Sequence, residues 1–304
     1  MADRTWSGHR GRVILTVNDY DVIDCHACGF KHVVPLPSRE DLDRIYREEY
    51  YTQEKPGYLA SVQKDRDWWE LVYRDRFAIF EEFLSAEERS LLDIGSGPGL
   101  FLLEGKKRGW TVKGIEPSRQ AASFSRGLGL DICEDFLSQD TAPNLGRFHA
   151  VHLSNVLEHI PDPLQILSLA HSLLHKDGLL AIITPNDFNP IQNALQRACE
   201  FQPWWAVPPH HLNYFDFASL ARLMERCGFE VVFQEATFPI DLFLLMGDNY
   251  VGNDALGRAC HERRMRLEQN LDRAGLTNVK HALYQAFAAA GLGREVFMVA
   301  RKRD

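Results

Sequence analysis

Ser90-Leu91-Leu92-Asp93-Ile94-Gly95-Ser96-Gly97-Pro98-Gly99 reads as a buried strand that runs straight into glycines, with a helix opening near Leu100. Glycines at such a turn let the backbone approach a ligand closely, and the first N–H groups of the following helix are free to point at it. A dinucleotide-binding loop would carry G-x-G-x-x-G. Gly95 and Gly97 fit that pattern, but Leu100 stands at the third position and the extra glycine is Gly99, which counts against a nicotinamide oxidoreductase.

Working outward, residues 90–235 alternate short apolar runs with amphipathic segments, as repeated βαβ units of a parallel sheet do. We expect strands at Ser90–Ile94, Thr111–Glu116, Leu130–Cys133, Phe148–Asn155, Leu179–Thr184 and Glu230–Glu235. Ser118, Asp162 followed by Pro163, and Asp216 are N-caps for intervening helices, and the helix after Asp162 is expected to end near Gly178. The alternation breaks over residues 238–293. Two helices are expected there, at about Asn253–Ala274 and Asn278–Ala290, before a final strand over Arg294–Lys302. Such an inserted pair suits a lid or a homodimer surface. Ahead of the sheet, Trp68, Trp69, Val72, Phe77, Phe80 and Phe83 recur at helical spacing. Residues 1–59 are read as an N-terminal extension and 60–304 as the main domain.

The chain has 304 residues and a formal net charge of −8, which would repel a phosphate backbone, and no basic stripe offsets it. Nucleic acid is therefore not expected as a partner, nor is a membrane, since no segment approaches a span in length. Val13–Val17 is too short for the core of a signal peptide, and the six cysteines are scattered, so we expect a cytoplasmic protein with reduced thiols.

Asp93 ahead of G-x-G-x-G resembles the first motif of the class I S-adenosylmethionine-dependent methyltransferases. The resemblance continues in "KGIEPS", "CEDFL", "HLSNVLEHIPDP" and "LLHKDGLLAIITPN", over roughly 145 residues in family order. It implies a Rossmann-like α/β fold with a seven-stranded methyltransferase sheet whose last strand is antiparallel. It also implies that Asp93, Gly95, Gly97 and Gly99 cradle the cofactor, that Glu116 accepts bonds from the ribose hydroxyls, and that Asp135 contacts the adenine amino group. Asn155 would flank the methyl. In related small-molecule enzymes an N-terminal tyrosine segment folds over the cofactor, which brings in Tyr51.

Ligands of open α/β sheets bind at the carboxyl ends of the strands. His159 follows the fourth strand there, and His210 and His211, in "PHHLNYF", follow the fifth. Methyl transfer needs alignment above all, but a hydroxyl acceptor gains from a base, and histidine titrates in the right range. These three histidines are the candidate bases. Trp204 and Trp205 would form either an acceptor wall or core. Cys25-x-x-Cys28 resembles half of the paired-knuckle zinc module found in some sugar C-methyltransferases; His9, His26 or His32 could complete four ligands, but a degenerate remnant without metal is the expectation.

The function expected is S-adenosylmethionine-dependent methyl transfer to a small-molecule or glycan/lipid-precursor acceptor, at oxygen before carbon or nitrogen. The rival is a non-catalytic binding or scaffold protein on the same fold. Cofactor binding without turnover would favour the rival.

Overall fold

The computed structural model describes residues 3–54 and 56–304. In chain order the strands are β1 (Asp3–Trp6), β2 (His9–Val17), β3 (Tyr20–Cys25), β4 (Lys31–Val34), β5 (Ser90–Ile94), β6 (Thr111–Ile115), β7 (Asp131–Cys133), β8 (Phe148–Ser154), β9 (Leu174–Pro185), β10 (Asn213–Tyr214), β11 (Phe229–Ala236) and β12 (Glu295–Lys302). Seven of them form one sheet in the order β11-β12-β9-β8-β5-β6-β7. β5 to β9 pair in parallel, while β12 enters antiparallel between β9 and β11. This is the seven-stranded methyltransferase sheet expected, with its reversed last strand.

The sheet is buried on both faces because its strands are apolar at successive positions, and alternation divides those positions between two cores. Leu92, Ile94, Val151, Leu153, Leu180 and Ile182 pack with Ile166, Leu167, Leu220, Leu223 and Met224 on one side. Leu91, Ala150, Leu179, Ala181 and Ile183 pack with Phe77, Phe80, Phe101 and Ala122 on the other. Ser118, Asp162 and Asp216 each accept a backbone N–H from the first turn of the next helix, and Asp216 forms a full capping box with Ser219. Each cap contributes about 1 kcal/mol.

One boundary differs from expectation. The helix after Asp162 spans Pro163–Leu173 and β9 already begins at Leu174, which pairs with Phe148. Sheet pairing overrides the helix-compatible residues 174–177, and Asp177 turns the chain with φ +59 before Gly178.

The insertion forms helices at Leu242–Leu245, Asp254–Arg273 and Thr277–Ala289. It is fastened to the leading helix Arg66–Phe83 and the residue before it. Trp68 Nε1 and Tyr284 Oη both donate to Glu268, Lys280 pairs with buried Asp75, and the Arg258 fork grips Asp65 at 2.6 Å through each nitrogen. Leu276, Val279 and Leu283 remain exposed on these helices.

The N-terminal extension, for which no strands were placed above, forms a sheet of its own. β1 to β4 form a meander, and β10, from beyond β9, joins its edge in the order β1-β2-β3-β4-β10. Val22, Val33, Leu42, Trp205, Leu212 and Tyr214 make the core of this second sheet. Trp205 is therefore core and not acceptor wall. After β4 the chain forms a helix at Arg39–Arg44, capped by Ser38, which runs into a wider π-helical stretch at Ile45–Glu54.

Candidate functional site

The glycine loop leaves the end of β5 at the centre of the large sheet. Asp93 stands opposite His152 in the parallel register of β5 and β8, and its Oδ1 lies 2.7 Å from His152 Nδ1. The buried imidazole also stacks on Phe101 with ring centres 3.9 Å apart. Burial pulls its pKa down even though Asp93 pushes the other way. His152 is a supporting residue that the motif alone did not point to; its place opposite Asp93 follows from register.

Gly95, Gly97 and Gly99 all adopt left-handed backbone, with φ of 69, 51 and 73°. At Gly97 a side chain is barred twice over, by that φ and because a Cβ would sit 3.1 Å from the Tyr51 hydroxyl. Glu116 follows β6 and is buried. Its two oxygens accept the Gly97 N–H at 2.8 Å and the Ser118 N–H at 2.9 Å, tying the glycine loop to the next helix cap. Burial outweighs these bonds and pushes the Glu116 carboxyl up to about 7. Asp135 Oδ1 accepts from Arg47 at 2.8 Å and from the Phe136 N–H at 2.8 Å, while the Arg47 guanidinium lies over the Phe136 ring.

The π-helical segment that carries Arg47 also carries Tyr46, Tyr50 and Tyr51, and it covers this end of the sheet. Tyr51 lies against the glycine loop; burial first, then the Glu116 carboxylate, raise its hydroxyl well above the ordinary tyrosine range. Tyr58 and Tyr73 stand half-buried nearby, and both feel Arg76 and Glu295. Arg76 is itself buried, reaching Ser154 Oγ at 3.4 Å. No sequence pattern singles it out, since an arginine on an amphipathic helix gives no sign that it points inward.

After β8, Asn155 turns the chain with φ +54, and its amide donates to Glu295 Oε1 on β12 at 3.2 Å. A short turn, Leu157–His159, then brings two titratable groups inward. Glu158 is fully buried and accepts from Thr184 Oγ1 at 3.1 Å; burial pushes its carboxyl up to about 8. His159 Nδ1 lies 2.7 Å from the His210 carbonyl and 2.9 Å from the Tyr46 hydroxyl. A carbonyl only accepts, so Nδ1 carries the proton and Nε2 holds the lone pair. That Nε2 is 3.7 Å from Glu158 Oε1, and the His211 ring meets His159 edge to face at 5.0 Å. The structure thus gathers His159 and His211 with Glu158, whereas His210 contributes its carbonyl, which also accepts from Tyr46 at 3.2 Å.

The cysteine knuckle is not the isolated half expected. His9, Cys25, Cys28 and His32 converge, their ligating atoms all within 4.8 Å of one another, while His26 is exposed and outside the group. The missing ligands come from β2 and β4, which a search for a second Cys-x-x-Cys could not find.

A family model described as a methyltransferase domain matches residues 68–234, more than half of the chain. The chain belongs to this family of S-adenosylmethionine-dependent methyltransferases. Among curated proteins it is similar to the ubiquinone biosynthesis O-methyltransferase of Actinobacillus pleuropneumoniae serotype 5b, 32% identical over 108 residues, which are 32% of this chain and 46% of that one. The protein of the same name from Histophilus somni is 33% identical over 109 residues, 33% of this chain and 46% of its own. The chain thus spans less than half the length of the curated relatives it matches. Among solved structures, an S-adenosylmethionine-dependent methyltransferase from Archaeoglobus fulgidus shares the fold, with a TM-score of 0.51 and 19% identity over 81% of this chain and 99% of that one.

Proposed function

We propose that the chain transfers the methyl group of S-adenosylmethionine to a hydroxyl oxygen of a small-molecule acceptor, with His159 as general base. The observation that carries this reading is the His159 imidazole. It stands at the carboxyl end of β8, and its Nδ1 lies 2.7 Å from the His210 carbonyl, which sets the ring's tautomer and orientation. The printed name of the curated relatives, an O-methyltransferase, supports oxygen as the acceptor atom.

The residues present fit the cofactor. Ser96 Oγ in the glycine loop is buried and has no hydrogen-bond partner, and beside it stands the buried Glu116 carboxylate. Glu116 would accept the ribose hydroxyls, Asp135 the adenine amino group, and the glycine backbone would lie against the amino-acid tail, whose carboxylate suits Arg76. Tyr51, Asp93 and Asn155 complete the enclosure. When bound, the cofactor supplies an electrophilic methyl on a sulfonium. The chain's own task is alignment and proton removal: His159 would accept the acceptor's hydroxyl proton at Nε2. Burial pushes the neighbouring Glu158 carboxyl up to about 8, which favours its protonated form beside the imidazole.

Labelled S-adenosylmethionine offered with a panel of phenols, catechols and aliphatic alcohols tests this directly. Methylation at oxygen that His159→Ala removes supports it. Saturable cofactor binding with no turnover on any fraction of a cell extract points instead to the scaffold. We also assign a cytoplasmic location, in keeping with free cysteines and with the absence, among the described residues, of any helix long and apolar enough to cross a membrane. A homodimer through exposed Leu276, Val279 and Leu283 belongs to the same proposal, and light scattering of Leu283→Glu tests it.

A further inference from the structure

We propose that His9, Cys25, Cys28 and His32 form a structural zinc site that ties β2, β3 and β4 of the N-terminal meander together. The four residues come together because of sheet register. Gly11 pairs with Cys25 and Ile23 with His32, so the start of β2, the end of β3 and the middle of β4 meet on one face, and Gly29, at φ +79, closes the Cys25–Cys28 turn. Gly11 cannot be replaced there, since a Cβ would fall 2.0 Å from the Asp24 carbonyl oxygen.

The two thiolate–imidazole distances at His9 suit a shared tetrahedral ion. With Zn–S of about 2.3 Å and Zn–N of about 2.0 Å, the edge between a thiolate and an imidazole nitrogen is about 3.5 Å. His9 Nδ1 stands 3.3 Å from Cys28 Sγ and 3.8 Å from Cys25 Sγ, on either side of that value.

A second observation is independent of the cysteines. His32 is 2% exposed, and its Nδ1 donates to the Val33 carbonyl at 2.9 Å, which fixes the tautomer with the lone pair on Nε2. That Nε2 is buried and has no hydrogen-bond partner. A buried acceptor left unmade is destabilising, and a metal bond would satisfy it. Two thiolates and two imidazoles suit zinc, and four protein ligands leave no open position, so the role is structural and not catalytic.

The site also has a route to the acceptor side. His32 sits opposite Asn213 in the β4–β10 pair. The Asn213 amide donates to the Leu157 and Ile160 carbonyls at 3.1 and 2.7 Å, holding the turn that carries Glu158 and His159.

The full chain, expressed with zinc in the medium and purified without chelator, is tested by elemental analysis and by exchange with Co(II). We expect about one zinc per chain and, after exchange, the thiolate-to-cobalt charge-transfer and strong visible bands of a tetrahedral site. His9→Ala and Cys28→Ser should lose both signals, while His26→Ala keeps them. Wild-type protein that holds no zinc and gives no thiolate–cobalt band overturns the proposal, and so does a metal content unchanged in His9→Ala and Cys28→Ser. The wild-type arm decides even where a ligand variant fails to fold. S-adenosylhomocysteine binding, measured on the same samples, reports the cofactor site separately, so the metal result stands or falls without the proposed methylation.

Discussion

Replacing Glu116 with alanine should weaken cofactor binding strongly and abolish its pH dependence. Both carboxylate oxygens face inward and are bonded to the Gly97 and Ser118 amides, so the group is fixed where two ribose hydroxyls would reach it. Hydrogen bonds to a charged partner are worth roughly 1.5–3 kcal/mol each; losing two predicts at least about 3 kcal/mol, a drop in affinity of roughly 150-fold. The pH term follows from burial. The folded-state pKa is raised to about 7 from 4.5, so the folded chain holds a proton that the unfolded chain has released. Stability of the free protein therefore falls as pH rises through that window, whereas the bound ribose favours the ionised form. Between pH 6 and 8 the ionised fraction rises about tenfold, so affinity should rise by up to about tenfold, or about 1.4 kcal/mol. Calorimetric titration with S-adenosylhomocysteine at pH 6, 7 and 8 measures both effects. A flat wild-type profile, or a Glu116→Ala protein that keeps the affinity and the slope, refutes the assignment.

His159→Ala should lower kcat about 100-fold or more while leaving the cofactor Kd within about twofold, because the imidazole is placed to move a proton and not to hold the donor; stopped reactions plus calorimetry read the two quantities apart. Tyr46→Phe removes the hydroxyl that contacts both His159 Nδ1 and the His210 carbonyl and should cost roughly fivefold in kcat at unchanged cofactor affinity, by the same assays. Gly97→Ala combines a left-handed backbone with a Cβ 3.1 Å from the Tyr51 hydroxyl and should weaken cofactor binding about tenfold or more, read by calorimetry. Lys280→Ala strands the buried Asp75 carboxylate and should destabilise the fold by about 3 kcal/mol, near the lower end for a broken buried pair because Arg74 still reaches Asp75 at 3.7 Å; urea unfolding followed by circular dichroism gives the midpoint shift.

Local sequence was enough wherever the physics is local. β5 could be read residue for residue, because a buried parallel strand must be apolar at every position and the glycines end it sharply. Caps at Ser118, Asp162 and Asp216 were legible for the same reason, since donor and acceptor lie within one turn. The last strand could be placed from its apolar run, but not its position between β9 and β11, which is a choice among partners far apart in sequence. The four-stranded meander was mostly missed. Its strands carry charge at several positions, as in "YDVIDC" and "KHVV", and their apolar core is completed by Trp205, Leu212 and Tyr214 from far along the chain.

The same distinction separates the parts of the site. The glycine loop and Glu116 announce themselves because a left-handed turn and a strand-end carboxylate leave a pattern in adjacent residues. His152 and Arg76 leave none, and nothing in adjacent residues selects His9 and His32 over His26 as the knuckle's partners. Each acquires its role from strand register or helix rotation: Asp93 faces His152 because β5 and β8 run parallel at that offset, and His32 faces both the cysteines and Asn213 because β4 lies between β3 and β10. "PHHLNYF" shows both conditions at once. Its histidines drew notice as bases, but Asn213 holds the His159 turn through two carbonyls, the His210 carbonyl orients His159, and Leu212 and Tyr214 bury the second sheet. Much of the segment's work is thus to join the two sheets, while the His211 ring packs edge to face against His159. A stretch chosen for its titratable side chains acts largely through its backbone, an amide and its apolar residues, which is why composition could mark its importance without giving its role.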